Sequence, residues 1–497
     1  MGSCNPGDIP TRHILCFMYV LGFIFVFMNR VSLNLTIVGM VKPISVGNGT
    51  EKEFLEVNIT SDNFNQSSST NVDEGEFDWS EFQQGLILGS FFYGYMASQI
   101  PGGRISEIWG MKPVFGLSVL INGLLSICIP FSARLHWSLL FIIRILQGLA
   151  QGVTFPALSS CVAKWVPLSE RARFIALTAQ GCSVGPVITL PLCGWILTTW
   201  GWPAVFYTTG LLAVIFYGFW QYLVYNTPEE HPRISPQEKK FLEENLKDVS
   251  TGETGPLPWK KALTSVQFWL GAAAHVGSDW GFHTFYTFGP KYIKDALKFD
   301  INSSAILSSL PFLCQYLSAT IIGILADKAV TNYNVPIRRV RKVSVFISHC
   351  MPGMLVIVLT FIGDYVNLSV VVLTLAVTML GGLSTGHYPN PIDIAPNFAG
   401  SLTGVANTLG ALGGILCTTI AGASLQNFGT PKGWHVIFYV AASVYAVTSL
   451  PFIIWAKSEE LPWNSIKKKN SMVELKQITR DENGESVNSK LLSQNET

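Results

Sequence analysis

The chain has 497 residues, 49% of them hydrophobic and only 13% charged, with a mean hydropathy of +0.36 and a formal net charge of +1. A soluble domain carries about 25% charged residues, so composition argues against a soluble fold, and near-neutrality gives no footing for nucleic acid. The nine cysteines lie mostly inside apolar runs without CxxC spacing, which indicates neither a zinc site nor a disulfide framework.

In chain order, residues 1–12 ("MGSCNPGDIPTR") are expected to form a short cytoplasmic N-terminus. They begin like a myristoylation signal, but Pro6 stands where Ser or Thr is required. The apolar run behind them is too long for a signal peptide and ends without a cleavage-like site, so it is expected to stay as a first membrane span. A crossing helix needs about 20 mostly apolar residues. Runs of that kind lie near 13–40, 83–103, 113–132, 137–163, 173–199 and 203–225. After a polar break at 226–265 come 266–288, 304–325, 343–363, 366–387, 399–424 and 434–456. The expected fold is therefore an all-α polytopic membrane protein with twelve transmembrane helices in two six-helix halves, 13–225 and 266–456. The polar tail 457–497 is expected to be disordered.

Lys and Arg collect in the loops after even-numbered spans, in the central break and in the "KKK" of the tail. The positive-inside rule then puts both termini and the break in the cytoplasm. Loop 41–82, on the opposite side, is acidic and holds three sequons at Asn48, Asn58 and Asn65, which are expected to be glycosylated. Asn34 is also in a sequon but lies within span one and is expected to stay unmodified.

The halves repeat. "GGRISEIWGMK" follows span two and "GILADK" follows span eight; aligning Gly103 with Gly323 sets Glu107 on Asp327. Gly103, Glu107, Gly110 and Lys112 keep the frame of the cytoplasmic gating loop of the major facilitator superfamily, which this repeat resembles. Parallel halves of that kind rock about a site near the midplane.

Charges inside a span cost at least ~2.5–3.5 kcal/mol and so face a cavity or a partner. Arg30 in span one and Arg144 in span four both lie roughly 10–15 Å below the outer surface, at about 1.5 Å per residue. Two guanidiniums at one depth suit an anion, because arginine stays charged and forks bidentately. Span seven carries His275, Asp279 and His283 on one helix face. They are candidates for a coupling ion or for structural hydrogen bonding. No metal site, phosphate-cradling loop or catalytic signature stands out, so the chain is not expected to be an enzyme.

Longer motifs sharpen the resemblance: "LGSFFYGYMASQIPGGRISE", "RILQGLAQGVTFPA", "KWVPLSERAR", "AILSSLPFL" and "NPIDIAPNFAGSLTGVANTLG". From about residue 12 to 460 the chain resembles the family of type I sodium/phosphate cotransporters, sialins and vesicular glutamate transporters. The resemblance implies an anion transporter whose binding arginines map onto Arg30 and Arg144. It also shows departures in the span-four polar site: Gln151 stands where proton-coupled sialin-like members have glutamate, and Ser159 where they have histidine. Pro391 replaces a histidine of the family's N-H-x-D-I-A-P. Ser278 stands where vesicular glutamate transporters have arginine, and Asp279 where sialin-like members have asparagine.

The expected function is secondary active symport of inorganic phosphate or small organic anions by alternating access, driven by sodium or voltage. The alternatives are a proton-coupled sialin-like carrier of acidic sugars or amino acids, and an uncoupled anion channel or uniporter. No cofactor is implied beyond co-transported Na+ or H+. The expected partners are a small anionic substrate and membrane lipid, with no nucleic acid, and the chain is expected to work as a monomer. Plasma membrane and lysosomal or vesicular membrane both remain open as its location.

Overall fold

The computed structural model describes residues 10–42, 75–167, 170–250, 258–363 and 365–464. Twelve long helical rods run through the described residues, and they match the twelve spans read from the sequence. Spans one to three are Thr11–Met40, Glu81–Trp109 and Met111–Leu135. Span four is split into Trp137–Gln151 and Thr154–Trp165. Spans five and six are Arg171–Trp200 and Trp202–Leu223. Spans seven and eight are Val266–Lys291 and Ile301–Thr331. Span nine runs from Ile337–Val345 through a π turn into Met351–Leu359. Span ten is Val366–Met379 with a tighter turn to Ser384, and spans eleven and twelve are Ala399–Phe428 and Lys432–Trp455. The central break is not simply a loop: it holds helices Pro236–Ser250 and Trp259–Leu263.

The split in span four has a local cause. Pro156 has no N–H to give the carbonyl of Gly152, so the helix loosens at Gly152–Val153. The hydroxyl of Thr154 restarts it by donating to Gln151 O at 2.7 Å.

Polarity is inverted relative to a soluble bundle. Phe17, Phe131, Ile215, Ile321, Val371 and Val447 point outward, while Asn29, Arg30, Asn122, Arg144, Gln147 and Gln151 are buried. Water would leave that outer surface unstable, whereas lipid suits it. Ten of the helices are long and apolar enough to cross a membrane. Spans two and seven fall short of that hydropathy because they carry the polar groups of the interior, such as Gln84 and Gln99, and His275, Asp279 and His283.

The repeat in sequence is a repeat in packing. In the first half span one packs on five and six, four on two and three, and three on six. In the second half seven packs on eleven and twelve, ten on eight and nine, and nine on twelve. Between halves span two meets eleven and span five meets eight, with span one touching seven. Glycine permits these approaches: a Cβ on Gly85 would stand 2.7 Å from Thr418 O, and one on Gly194 would stand 2.5 Å from the Cβ of Ala305.

Those contacts lie at the end of the bundle that bears loop 41–82, here the loop end. An ion pair adds to them: Lys291 of span seven reaches Glu81 of span two at 2.9 Å and donates to Gln84 Oε1. At the opposite, Lys- and Arg-rich end, Gly323 of span eight and Gly400 and Gly404 of span eleven face open space. The halves thus meet at the loop end, where Lys294 also donates to Val38 O and Thr198 to Asn302 Oδ1 across them.

Candidate functional site

Arg30 lies between the halves and is only 6% exposed. Five aromatic rings surround it. Its guanidinium carbon is 4.6 Å from the ring centroid of Phe91, 4.9 Å from Phe92, 5.3 Å from Tyr95, 5.5 Å from Phe27 and 5.6 Å from Tyr286. Three of the rings come from the "FFYGY" run of span two, whose spacing wraps one helix face around the arginine. Its Nε has no hydrogen-bond partner. Aromatic faces offset part of the desolvation of a cation, about 0.5–2 kcal/mol each, but they do not neutralise it.

Arg144 sits on the far edge of the same Phe91, 5.3 Å from its centroid. It donates to Gln147 Oε1 at 3.0 Å and to the backbone oxygen of Arg30 at 3.4 Å, and its Nε is also unpartnered. The two arginines predicted to converge do so. Among the described residues neither is ion-paired to a carboxylate. Two guanidiniums lie side by side here with no carboxylate at ion-pairing distance among the described residues, which makes the local potential positive.

Amides fix this cluster in place. Gln147 donates to Ser126 Oγ at 3.1 Å, Ser126 donates to Asn29 Oδ1 at 2.7 Å, and Asn122 donates to Gln147 O at 3.0 Å. Gln151 donates to Val26 O at 2.9 Å and to Asn122 Oδ1 at 3.0 Å, tying span four to spans one and three. Its Oε1 is buried and unpartnered. Ser159, grouped with Gln151 in the sequence reading, lies elsewhere: it is exposed beyond the helix break and bonds only its own turn at Phe155 O.

Span seven faces the arginines from the other half. His275 Nε2 is 3.6 Å from Asp279 Oδ2, and the Asp279 side chain keeps 20% of its surface open. A Cβ at Gly410 of span eleven would intrude on that carboxylate, so only glycine leaves it room. His283 stands apart, with its ring 4.4 Å from Phe92 and its Nδ1 unpartnered. It therefore shares Phe92 with Arg30 across the two halves.

Two further histidines lie behind His275, and the sequence reading missed both. His387, in the "STGHYPNP" link between spans ten and eleven, is 5.4 Å from the ring of His275, and His349 of span nine is 5.3 Å from that of His387. The signal was present in the sequence as single histidines inside otherwise apolar or turn-forming stretches, but only the fold sets them in a row. Among the described residues no three His, Cys, Asp or Glu side chains converge to hold a metal ion.

At the basic end Gly110 has φ +89 between spans two and three, and a side chain there would strike Asn226. Lys112 donates to Gln221 O at 2.9 Å, clamping span three to span six. Gly103 passes Pro156, 4.0 Å from where its Cβ would stand. Asp327 is exposed at the equivalent place in the second half. The side chain of Glu107 and the sequons at Asn48, Asn58 and Asn65 lie outside the described residues. Asn34 is buried, donating to Tyr286 O across the halves at 3.1 Å.

The family model of the major facilitator superfamily matches residues 15–418. The chain belongs to this superfamily. Human sialin is 34% identical over 463 residues, 92% of each chain. A putative inorganic phosphate cotransporter of Drosophila melanogaster is 31% identical over 92% of this chain and 86% of its own. Vesicular glutamate transporter 1 of Xenopus tropicalis is 32% identical over 93% of this chain and 77% of its own. The chain is thus a multi-pass membrane transporter of the type I phosphate cotransporter family, and not an enzyme. Among solved structures, a D-xylose–proton symporter aligns with a TM-score of 0.64 at 12% identity, covering 90% of this chain and 100% of that one. At that identity the likeness speaks for the fold alone.

Proposed function

We propose that this transporter carries inorganic phosphate or a small organic anion by cation- or voltage-driven symport, with Arg30 and Arg144 binding the anion and Asp279 holding the coupling charge. One observation carries the reading: two guanidiniums flank Phe91, each with a free Nε and neither paired to an acid. The basic end is the cytoplasmic one by its lysines and arginines, and rocking of the halves about the arginines would expose them to each side in turn. The five rings around Arg30 favour an anion with an organic body, since they offer contact area and few hydrogen bonds. The names of the relatives support anionic cargo, in phosphate and glutamate.

Counterflow in proteoliposomes with labelled phosphate, urate, sialate and glutamate tests this. At least one anion should exchange, and Arg30→Ala should remove that exchange from protein that is still monodisperse. Full exchange by Arg30→Ala would refute the site. Accumulation against a gradient separates symport from a channel or uniporter. Sodium dependence, pH dependence and voltage dependence then identify the driver. Proton-driven uptake of acidic sugars is the second reading, and Gln151 counts against it on the span-four side because an amide releases no proton.

A further inference from the structure

We infer that Tyr286 is a third anion-binding group, reaching from the second half with its hydroxyl, and that Asn34 of the first half positions it. The inference rests on the transport reading above and adds a residue to the same site.

The backbone of Tyr286 shows how it is held. In a helix its carbonyl would accept from the N–H four residues on, but that residue is Pro290, which has none. The freed carbonyl is taken by Asn34 of span one, whose Nδ2 donates to it at 3.1 Å across the halves. Asn34 is only 3% exposed, so its amide has left water for this bond. One turn further along span one, the carbonyl of Val38 accepts from Lys294, so the same face of span one meets the second half twice. The ring of Tyr286 is fixed as well. It stacks on Phe282 at 5.2 Å and meets Phe312 and Phe27 edge-on at 6.0 and 6.1 Å.

The hydroxyl on this fixed ring has no partner, although the residue is only 1% exposed. A buried hydroxyl without a bond is costly, and native structures seldom leave one so. It belongs to the neighbourhood of the two arginines. The ring is 5.6 Å from the guanidinium carbon of Arg30, and the hydroxyl lies within reach of the charge of Arg144. Arg30 Nε and Arg144 Nε are orphaned donors in the same place. A guanidinium cannot satisfy the phenolic hydrogen, because it only donates. An oxyanion between them has acceptors for all three hydrogens, and the phenolic one comes from the half opposite to both arginines. A phenol adds no charge, so its part is to select oxygen acceptors and to tie the bound anion to span seven. Asn34 acts through Tyr286: it sets span seven against span one, and with it the place of the hydroxyl.

Counterflow in proteoliposomes over a range of anion concentrations tests this, with the anion among phosphate, urate, sialate and glutamate that exchanges. Tyr286→Phe keeps the ring and the backbone bond. It should raise the half-saturating concentration about three- to tenfold, the size of one hydrogen bond, with the maximal rate within about twofold. Asn34→Leu should raise it too, by less. The double variant separates positioning from packing: it should be no worse than Tyr286→Phe alone, because Asn34 acts through the hydroxyl. If Asn34→Leu does not give monodisperse protein, Pro290→Ala takes its place in the cycle, since it returns an N–H to Tyr286 O that competes with Asn34. An unchanged half-saturating concentration in Tyr286→Phe overturns the inference and leaves the transport reading intact. Additive losses in the double variant overturn the positioning role of Asn34. No exchange of any of the four anions by the unaltered chain overturns the transport reading first, and this inference with it.

Discussion

The two halves share one packing scheme but carry opposite kinds of polar centre. The first half holds two arginines and the amides of Gln147, Gln151, Asn122 and Asn29. The second half holds an acid and imidazoles: Asp279 and the buried His275, His283, His349 and His387. Helix contacts match rod for rod between the halves, so the difference was written by side chains onto a common scaffold. On the proposed function it divides the work, with positive charge to attract an anion on one side and Asp279 as the coupling group on the other.

The most severe way to break this comparison is to remove the fixed field. Arg30→Ala deletes charge-assisted bonds worth roughly 1.5–3 kcal/mol, or about 10–150-fold in exchange rate, and the loss should be the same at every pH. Arg30→Lys keeps the charge but not the planar fork and should fall between. A loss confined to one pH range would mean that Arg30 acts through the titrating half. Next in size is Asp279→Asn, which should abolish gradient-driven accumulation and leave counterflow in place. Unchanged cation dependence in that variant would remove Asp279 from the coupling role.

Much of this was legible in the sequence for physical reasons. Twelve apolar runs, the Lys/Arg asymmetry and the Gly103/Gly323 repeat specify the bundle, because lipid forces every span to be long and apolar. Arg30 and Arg144 stood out because a buried charge is costly and therefore rare. The aromatic cage did not stand out, since Phe91, Phe92 and Tyr95 look like any lipid-facing aromatics until span two is set against span one. His349 and His387 were missed for the same reason: one lies in span nine and the other in a link, and a row made from three separate segments has no local spacing. Ser159 lies two turns beyond Gln151, in the second segment of span four.

A smaller effect comes from importing titration into the first half. Gln151 Nε2 donates to Val26 O, a bond that a glutamate makes only while protonated. In the Asp279→Asn background, Gln151→Glu should give counterflow that declines as pH rises, by about two- to tenfold for one neutral hydrogen bond of roughly 0.5–1.5 kcal/mol. Asp279→Asn alone should be flat over that range. A flat profile in the double variant would mean that the amide is only a packing element.

The smallest effect belongs to the one acid of the first half, among the described residues, whose titration is clearly displaced: Glu76, next to the buried start of span six. Arg134 holds it below the usual carboxylate range, chiefly by donating from Nε at 2.9 Å, and Trp202 adds a bond from its indole nitrogen at 2.9 Å. A depressed folded-state pKa contributes stability that is complete above the unfolded value, near 4.3, and is lost as pH falls through the folded one. The side chain is 40% exposed, so screening limits the contribution to about 0.2–1 kcal/mol. Glu76→Gln should therefore lower the melting temperature slightly at neutral pH, with the gap to the unaltered chain closing below about pH 4. Counterflow should not change. A transport pH profile that moved with Glu76→Gln would show that the first half also titrates during the cycle, and the division between a fixed half and a chargeable half would fail at its weakest point.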